Sequence, residues 1–262
     1  MEKKADLAIL YHKEVPYGIW DDELWTPLQA NTENNGIISE YGGYRDNEGD
    51  NISEWNPLFA EITCVYWLWK HLTGKKYAGV TQYRRRFDIH TFEDIEEIFK
   101  QGDVIAAAPL MFTETARRQY ETCHSKQDLD LVETIVKELY PEYADAWNEY
   151  INNGNLLFYS NGFILKEEDY ARYCEWLFSI LFEFKRRMGW NTPEDLMNYI
   201  GSEISMGKRP NRNGYGRPEN ALKYQSQLCG FLSERLWTLY LQRNFDHEKI
   251  ILTNYLKMEA GI

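Results

Sequence analysis

What this sequence lacks narrows it first. No run of 18 apolar residues occurs anywhere, so nothing reads as a membrane-spanning helix. The start, Met1-Glu2-Lys3-Lys4-Ala5-Asp6, leads into only about five apolar residues, too short and too acidic for a secretory leader. The four cysteines (Cys64, Cys123, Cys174, Cys229) never form a CxxC pair, which excludes zinc ribbons and thioredoxin-like motifs. Reduced, mostly buried thiols of a cytoplasmic protein are expected instead. Basic charge is scarce: 29 Lys and Arg stand against 41 Asp and Glu, a net charge of −12. Such a chain is a poor non-specific partner for nucleic acid, whose phosphates need a basic face. GxSxG, Walker and GxGxxG patterns are absent. The five histidines form neither HxH nor HExxH, and Asp128-Leu129-Asp130 opens a helix rather than ending a strand.

What is present is a chain of 262 residues, long enough to bury roughly 70–75% of its unfolded surface in one large domain. Hydrophobic residues make up 44% and charged residues 27%, ordinary globular usage. Aromatic residues reach 15%, but most fall at helical spacing, as core rings do, rather than as sugar-stacking platforms. Continuous apolar runs at 7–11, 77–81, 103–108, 156–159 and 162–165 predict strands covered on both faces. Helical spacing follows Asn56-Pro57 through His71 and recurs at 92–100, 128–139, 169–187 and 228–243. Asn56 is expected to cap the first of these, with Pro57 at its first position. Strands alternating with helices predict an α/β domain whose C-terminal third is mainly helical. Residues 31–53 read as a loop, and 202–225 as a mobile basic loop, either a solvated insert or an anion-binding lid.

Several residues could carry chemistry. Tyr83-Arg84-Arg85-Arg86 follows the strand at 77–81, the place where open α/β sheets bind ligands. Guanidinium groups there suit phosphate oxygens; pairing with the abundant acids is the plainer alternative. Gly49-Asp50-Asn51-Ile52-Ser53 precedes a helix start and either binds an anion or merely caps the helix. Glu61 lies on the margin of an apolar stripe, as an ion-pair partner or a general base. Arg235, within the stripe of the last helix, must be paired or reach a ligand. His124 and Asp128, four apart, form a weak metal-ligand pair that would suit a hydrolase.

Taken together, several phrases resemble one family. They are His12-Lys13, Gly49–Ser53 with Asn56-Pro57, and Glu61-Ile62-Thr63 with Tyr66-Trp67-Leu68-Trp69-Lys70. To these add Tyr83-Arg84-Arg85 with Phe87, Asn161-Gly162-Phe163-Ile164 and Gly230-Phe231-Leu232-Ser233-Glu234-Arg235-Leu236. The resemblance, over about residues 7–243, is to a bacterial family of unnamed domains from capsule, exopolysaccharide and O-antigen clusters. Its members are regarded as GT-A-type glycosyltransferases, some associated with galactofuranose transfer. Three positions depart from the family pattern: Gln82 stands for a His, Ala60 for a Cys and Gln227 for an Arg.

The resemblance implies a GT-A-like, Rossmann-type mixed sheet flanked by helices, in a single domain of residues 1–262. About 1–166 would form the nucleotide-sugar-binding core and about 167–262 the helical part. It implies transfer from a nucleotide sugar, UDP-linked and galactofuranose among the options, to a glycan or lipid-linked oligosaccharide acceptor. Location would be cytoplasmic, with peripheral contact at the inner face of the plasma membrane. His12, Lys13, Gln29, Asn51, Ser53, Tyr83, Arg84 and Arg85 would bind the donor. Asp50 or Glu61 would be the catalytic base, Gln82 and Asn161 sugar contacts, and Glu234 with Arg235 a supporting ion pair. With no Asp-x-Asp at a strand end, arginine charge is expected to replace a metal, no metal ligands are assigned and no cofactor is required; manganese or magnesium stays compatible. The alternative is a non-catalytic module binding glycan or lipid diphosphate.

Overall fold

The structure is a computed structural model that describes residues 3–15, 24–38 and 41–257. In chain order the first half runs β1 (Asp6–Tyr11), β2 (Trp25–Gln29), α1 (Thr32–Asn35), β3 (Tyr44–Arg45), α2 (Asn56–Phe59), α3 (Ile62–Lys70), β4 (Tyr77–Gln82), β5 (Arg85–Phe87), α4 (Phe92–Phe99), β6 (Val104–Ala107) and β7 (Leu110–Met111). There follow α5 (Ala116–Cys123), α6 (Lys126–Leu139), α7 (Ala144–Trp147), β8 (Leu156–Leu157) and β9 (Phe163–Lys166). The last third holds α8 (Glu167–Met188), α9 (Pro193–Ser205), α10 (Ala221–Ser226), α11 (Leu228–Asn244), β10 (Ile250–Thr253) and β11 (Tyr255–Lys257).

The main sheet has the order β10-β6-β9-β4-β1-β2-β3, with β5 attached to β4 and β11 to β5. Along that order neighbours are parallel except around β9, which runs against both β4 and β6, and the side branch of β5 and β11 is antiparallel as well. This is the expected mixed α/β sheet flanked by helices. Side chains of β1 alternate between two cores: Ala8 and Leu10 join Leu58, Val65 and Phe163, whereas Leu7, Ile9 and Tyr11 join Trp25, Phe87 and Ile95. Both faces are covered, which is why β1 reads as an unbroken apolar run. Most aromatic rings are core, as in the stack of Phe163 on Trp237 at 4.4 Å. Among the described residues no helix is long and apolar enough to cross a membrane.

Several expectations are corrected. The stretch 31–53 contains α1 and β3 as well as loop. The helix expected from Asn56 to His71 breaks at Ala60, whose backbone has φ +50°. Asn56 does not cap it; its amide turns back to Ala60 O at 2.7 Å and Thr63 Oγ1 at 3.3 Å. The segment 202–225 is fastened, not loose. Arg209 is buried and grips Asp128 at 2.7 and 2.8 Å and Glu203 at 3.3 Å, and 221–226 is helical. Both oxygens of Asp128 are thereby taken, and His124 packs among Tyr120, Tyr224 and Phe231, so this pair does not present a metal site. The C-terminal third is helical except that β10 and β11 return to the sheet.

Candidate active site

Parallel strands deliver their carboxyl ends to one edge of the sheet, and a cleft of about 220 Å³ opens there. Leu10, Tyr11 and His12 line it from the end of β1, Ala30 and Asn31 from the end of β2, and Gln82, Tyr83 and Arg84 from the end of β4. Asn56, Ala60 and Glu61 enter from the break between α2 and α3, and Lys223 and Gln227 from α10 and its end.

The break is what brings Glu61 to the cleft. A continuous helix would carry the carboxylate along the stripe; the turn at Ala60 restarts the chain and leaves Glu61 at the start of α3. Non-glycine residues at positive φ store strain and need support. Asn56 supplies it at Ala60, and Gly230 permits it: a Cβ there would stand 3.0 Å from that of Ala60 and 3.8 Å from Glu61 Oε2. Ser160 (φ +65°) and Asn161 (φ +50°) form a second such turn, and Asn31 (φ +64°) a third at the end of β2.

Glu61 Oε1 accepts from Gln82 Nε2 and Asn161 Nδ2, each at 3.2 Å. Both donors are neutral amides. Burial, with the Glu234 carboxylate nearby, pushes the Glu61 carboxyl up to about 7. Asn161 is itself held by Ser233 Oγ at 3.1 Å, and Glu234 receives Ser160 N at 2.7 Å and Arg235 Nη1 at 3.0 Å. Arg235 also donates to Phe231 O and Gln119.

The same cleft is also lined by the cations Arg84 and Lys223. Arg84 lies over the Tyr83 ring, and the Tyr83 hydroxyl is buried without a hydrogen-bond partner. His12 stands edge-on to Tyr83 at 5.7 Å. Its ring edge is open to solvent, yet the surrounding wall and the charges of Arg84, Lys13 and Lys223 lower its pKa to about 4. The imidazole is therefore neutral at pH 7, in a field that favours anions.

The remaining sequence candidates fall elsewhere. Gln29 is buried with its amide spent on Gly36 O at 2.6 Å and Ile38 N at 2.9 Å. Asn51 and Ser53 shape the turn before α2, with Ser53 Oγ on Asp46 at 2.7 Å. Asp50 is exposed, accepts from Tyr66 at 3.0 Å and does not line the cleft. Lys13 is exposed beside His12. Arg85 turns away, over Tyr159 and onto Gln82 Oε1 at 3.3 Å, so it orients Gln82.

Sequence reasoning passed over Asp46, which is fully buried and accepts from Asn31 N, Thr32 N, Ser53 Oγ and Thr63 Oγ1 at 2.7–3.0 Å. It welds the cleft end of β2 to α3. Asn31 and Asn35 were also passed over, and nothing in their spacing marks them.

Among the described residues Glu61 is the one carboxylate of a lining that also holds Arg84 and Lys223. Among the described residues no group of three or more His, Cys, Asp or Glu side chains could hold a metal ion. What the described lining offers is side-chain amides, one carboxyl and positive charge in a single cleft.

Comparison with known proteins agrees with the architecture. The profile of a family described as a domain of unknown function (DUF4422) matches residues 6–200. No curated protein sequence matches. A solved structure, the apo form of the bifunctional glycosyltransferase WbbM, superposes with a TM-score of 0.74 at 22% identity. The superposition covers 97% of this chain and 45% of that one, so this chain spans less than half of its length.

Proposed function

The chain belongs to the DUF4422 family, and from that premise and the cleft we propose that it is a glycosyltransferase. It moves a sugar from a nucleotide-sugar donor, a UDP-sugar foremost, to a hydroxyl of a glycan acceptor. The observation that carries this reading is Glu61: a carboxyl poised near pH 7 in a cleft that Arg84 and Lys223 also line. The shared fold with a glycosyltransferase structure supports it.

The roles follow from charge. A donor diphosphate suits the Arg84, Lys223 and His12 end, where guanidinium and ammonium groups would stabilise the negative charge that grows as the glycosidic bond breaks. Sugar hydroxyls suit the amides of Asn31, Asn35, Gln82 and Gln227. Glu61 would take the proton from the attacking acceptor hydroxyl, and its pKa near the working pH is what a general base needs. Gln82 and Asn161 fix its orientation. In this reading the protein's cations do what a metal does in related chemistry, so chelators leave activity intact.

The test is a thermal-shift panel of UDP, GDP, CMP and TDP sugars with and without manganese, followed by transfer to glycan acceptors. Ligand bound to the folded state raises Tm by linkage. A shift with one nucleotide class, lost in Arg84→Ala, together with turnover lost in Glu61→Gln, supports the proposal. A shift without transfer to acceptor or water points to the binding-module alternative. No shift with any nucleotide, or an absolute manganese requirement, refutes these roles.

A further inference from the structure

We infer that residues 206–223, beside the cleft, form a docking surface for an anionic lipid bilayer. The inference goes beyond the transfer reading and does not depend on it. Within this segment lie five cations (Lys208, Arg209, Arg212, Arg217, Lys223) and one acid, Glu219, in a chain whose net charge is −12. Arg209 is consumed inside by Asp128 and Glu203, and Arg212 reaches Thr122 O. Lys208, Arg217 and Lys223 are exposed.

Large apolar side chains are exposed in the same segment: Tyr215 at 87%, Met206 at 56% and Leu222 at 38%. Scattered apolar residues on a surface mean little. Here they sit on a chain held in shape. Arg209 anchors one foot, and Gln225 anchors the other through Cys123 O at 3.0 Å and Arg212 O at 3.1 Å. Between them Asn213 ties a tight turn. Its Oδ1 accepts from the backbone N–H groups of Tyr215 and Arg217, and its Nδ2 donates to Glu219 O at 2.9 Å. The turn therefore presents Tyr215 outward, with the exposed Arg217 two residues further on.

That combination fits a bilayer surface. Lysine and arginine are drawn to anionic headgroups, a tyrosine ring favours the interface between water and hydrocarbon, and methionine and leucine gain by leaving water. A soluble polyanion would use the cations and leave the apolar side chains wet. The overall negative charge would repel other faces of the protein from the same membrane, so contact through this segment also sets orientation. Lys223, which lines the cleft, places the cleft beside the docked surface.

The experiment is co-sedimentation of the full chain with vesicles of phosphatidylcholine alone and of phosphatidylcholine mixed with phosphatidylglycerol, at low and high salt. The protein should pellet with the anionic vesicles and not the neutral ones. The double variant Lys208→Glu/Arg217→Glu should weaken binding roughly tenfold or more. Tyr215→Ser should weaken it several-fold at unchanged net charge. Circular dichroism of each variant confirms folding, and the nucleotide thermal shift reads the cleft separately, so membrane docking and donor binding fail independently. Equal pelleting on both vesicle types, no pelleting, or indifference to Tyr215→Ser overturns the inference, the last by leaving a patch for soluble polyanions.

Discussion

Two pairs of acidic side chains lie in the interior of this protein, and their surroundings differ. Asp128 and Glu203 have Arg209 driven between them, with the guanidinium and both carboxylates withdrawn from solvent. Glu61 and Glu234 have no cation bonded to both; the Arg85 charge acts on each without closing an ion pair. Arg235 serves only Glu234, and Glu61 is held by the amides of Gln82 and Asn161. The first pair is electrically closed and fastens the segment 206–223. The second leaves a carboxyl that keeps its proton to about pH 7, at the wall of a cleft. Neutralised charge makes structure; charge held short of neutralisation can move a proton.

That contrast can be broken in order of expected effect. Glu61→Gln should cost roughly 10²–10⁴ in transfer rate, the usual worth of a general base. The wild-type rate should rise with pH to a plateau above about 7, following Glu61 ionisation. Stability runs the other way. The folded chain keeps this proton up to about pH 7 while the unfolded chain releases it near 4.5, so ionisation penalises folding progressively as pH rises between those values. The Tm of Glu61→Gln should therefore gain on wild type from pH 5 to pH 8, measured by thermal melts.

Arg209→Met should destabilise by about 3–5 kcal/mol in urea titration, because it strands Asp128 and Glu203 without a counter-charge. Adding Asp128→Leu should recover part of the loss. Asp46→Asn, which puts an amide where four donors converge, should cost about 2–3 kcal/mol and disturb the cleft through Asn31. Smallest is Ala60→Gly. Relief of the φ +50° backbone and the entropy cost of glycine should nearly cancel, leaving stability within about 1 kcal/mol. Activity should fall several-fold, as the support of Glu61 loosens. A Tm change without an activity change would show that the break does not position the base.

Much of this was legible from the residues. The apolar runs of β1, β4, β6 and β9 announce a two-sided sheet, and Tyr83-Arg84 stands at the end of β4, where a ligand was expected. The strand β2 was not legible. Pro27 lies within it, and proline argues against a strand interior because it lacks the N–H a ladder uses. The break at Ala60 was equally hidden. Alanine is a strong helix former, and its left-handed backbone exists only through Asn56 and the bare Cα of Gly230, far away in sequence. Asp46 reads as one more acid in a polar loop, since its four donors come from three separate segments. Lys223 reads as one charge of a loose basic loop, solvated or lid-like, because its arrival at the cleft depends on the buried anchor at Arg209.

The pairing of the last strands has a consequence for how the molecule is made. β10 adds to the sheet edge beside β6, and β11 clamps β5, Tyr255 facing Phe87 and Lys257 facing Arg85. A ribosome releases those partners some 170 residues after the arginine turn they secure. The nascent chain can collapse around β1, β4 and the early helices long before then. The arginine turn beside the cleft stays open-edged until β11 has emerged, so a working cleft must wait for residues 250–257.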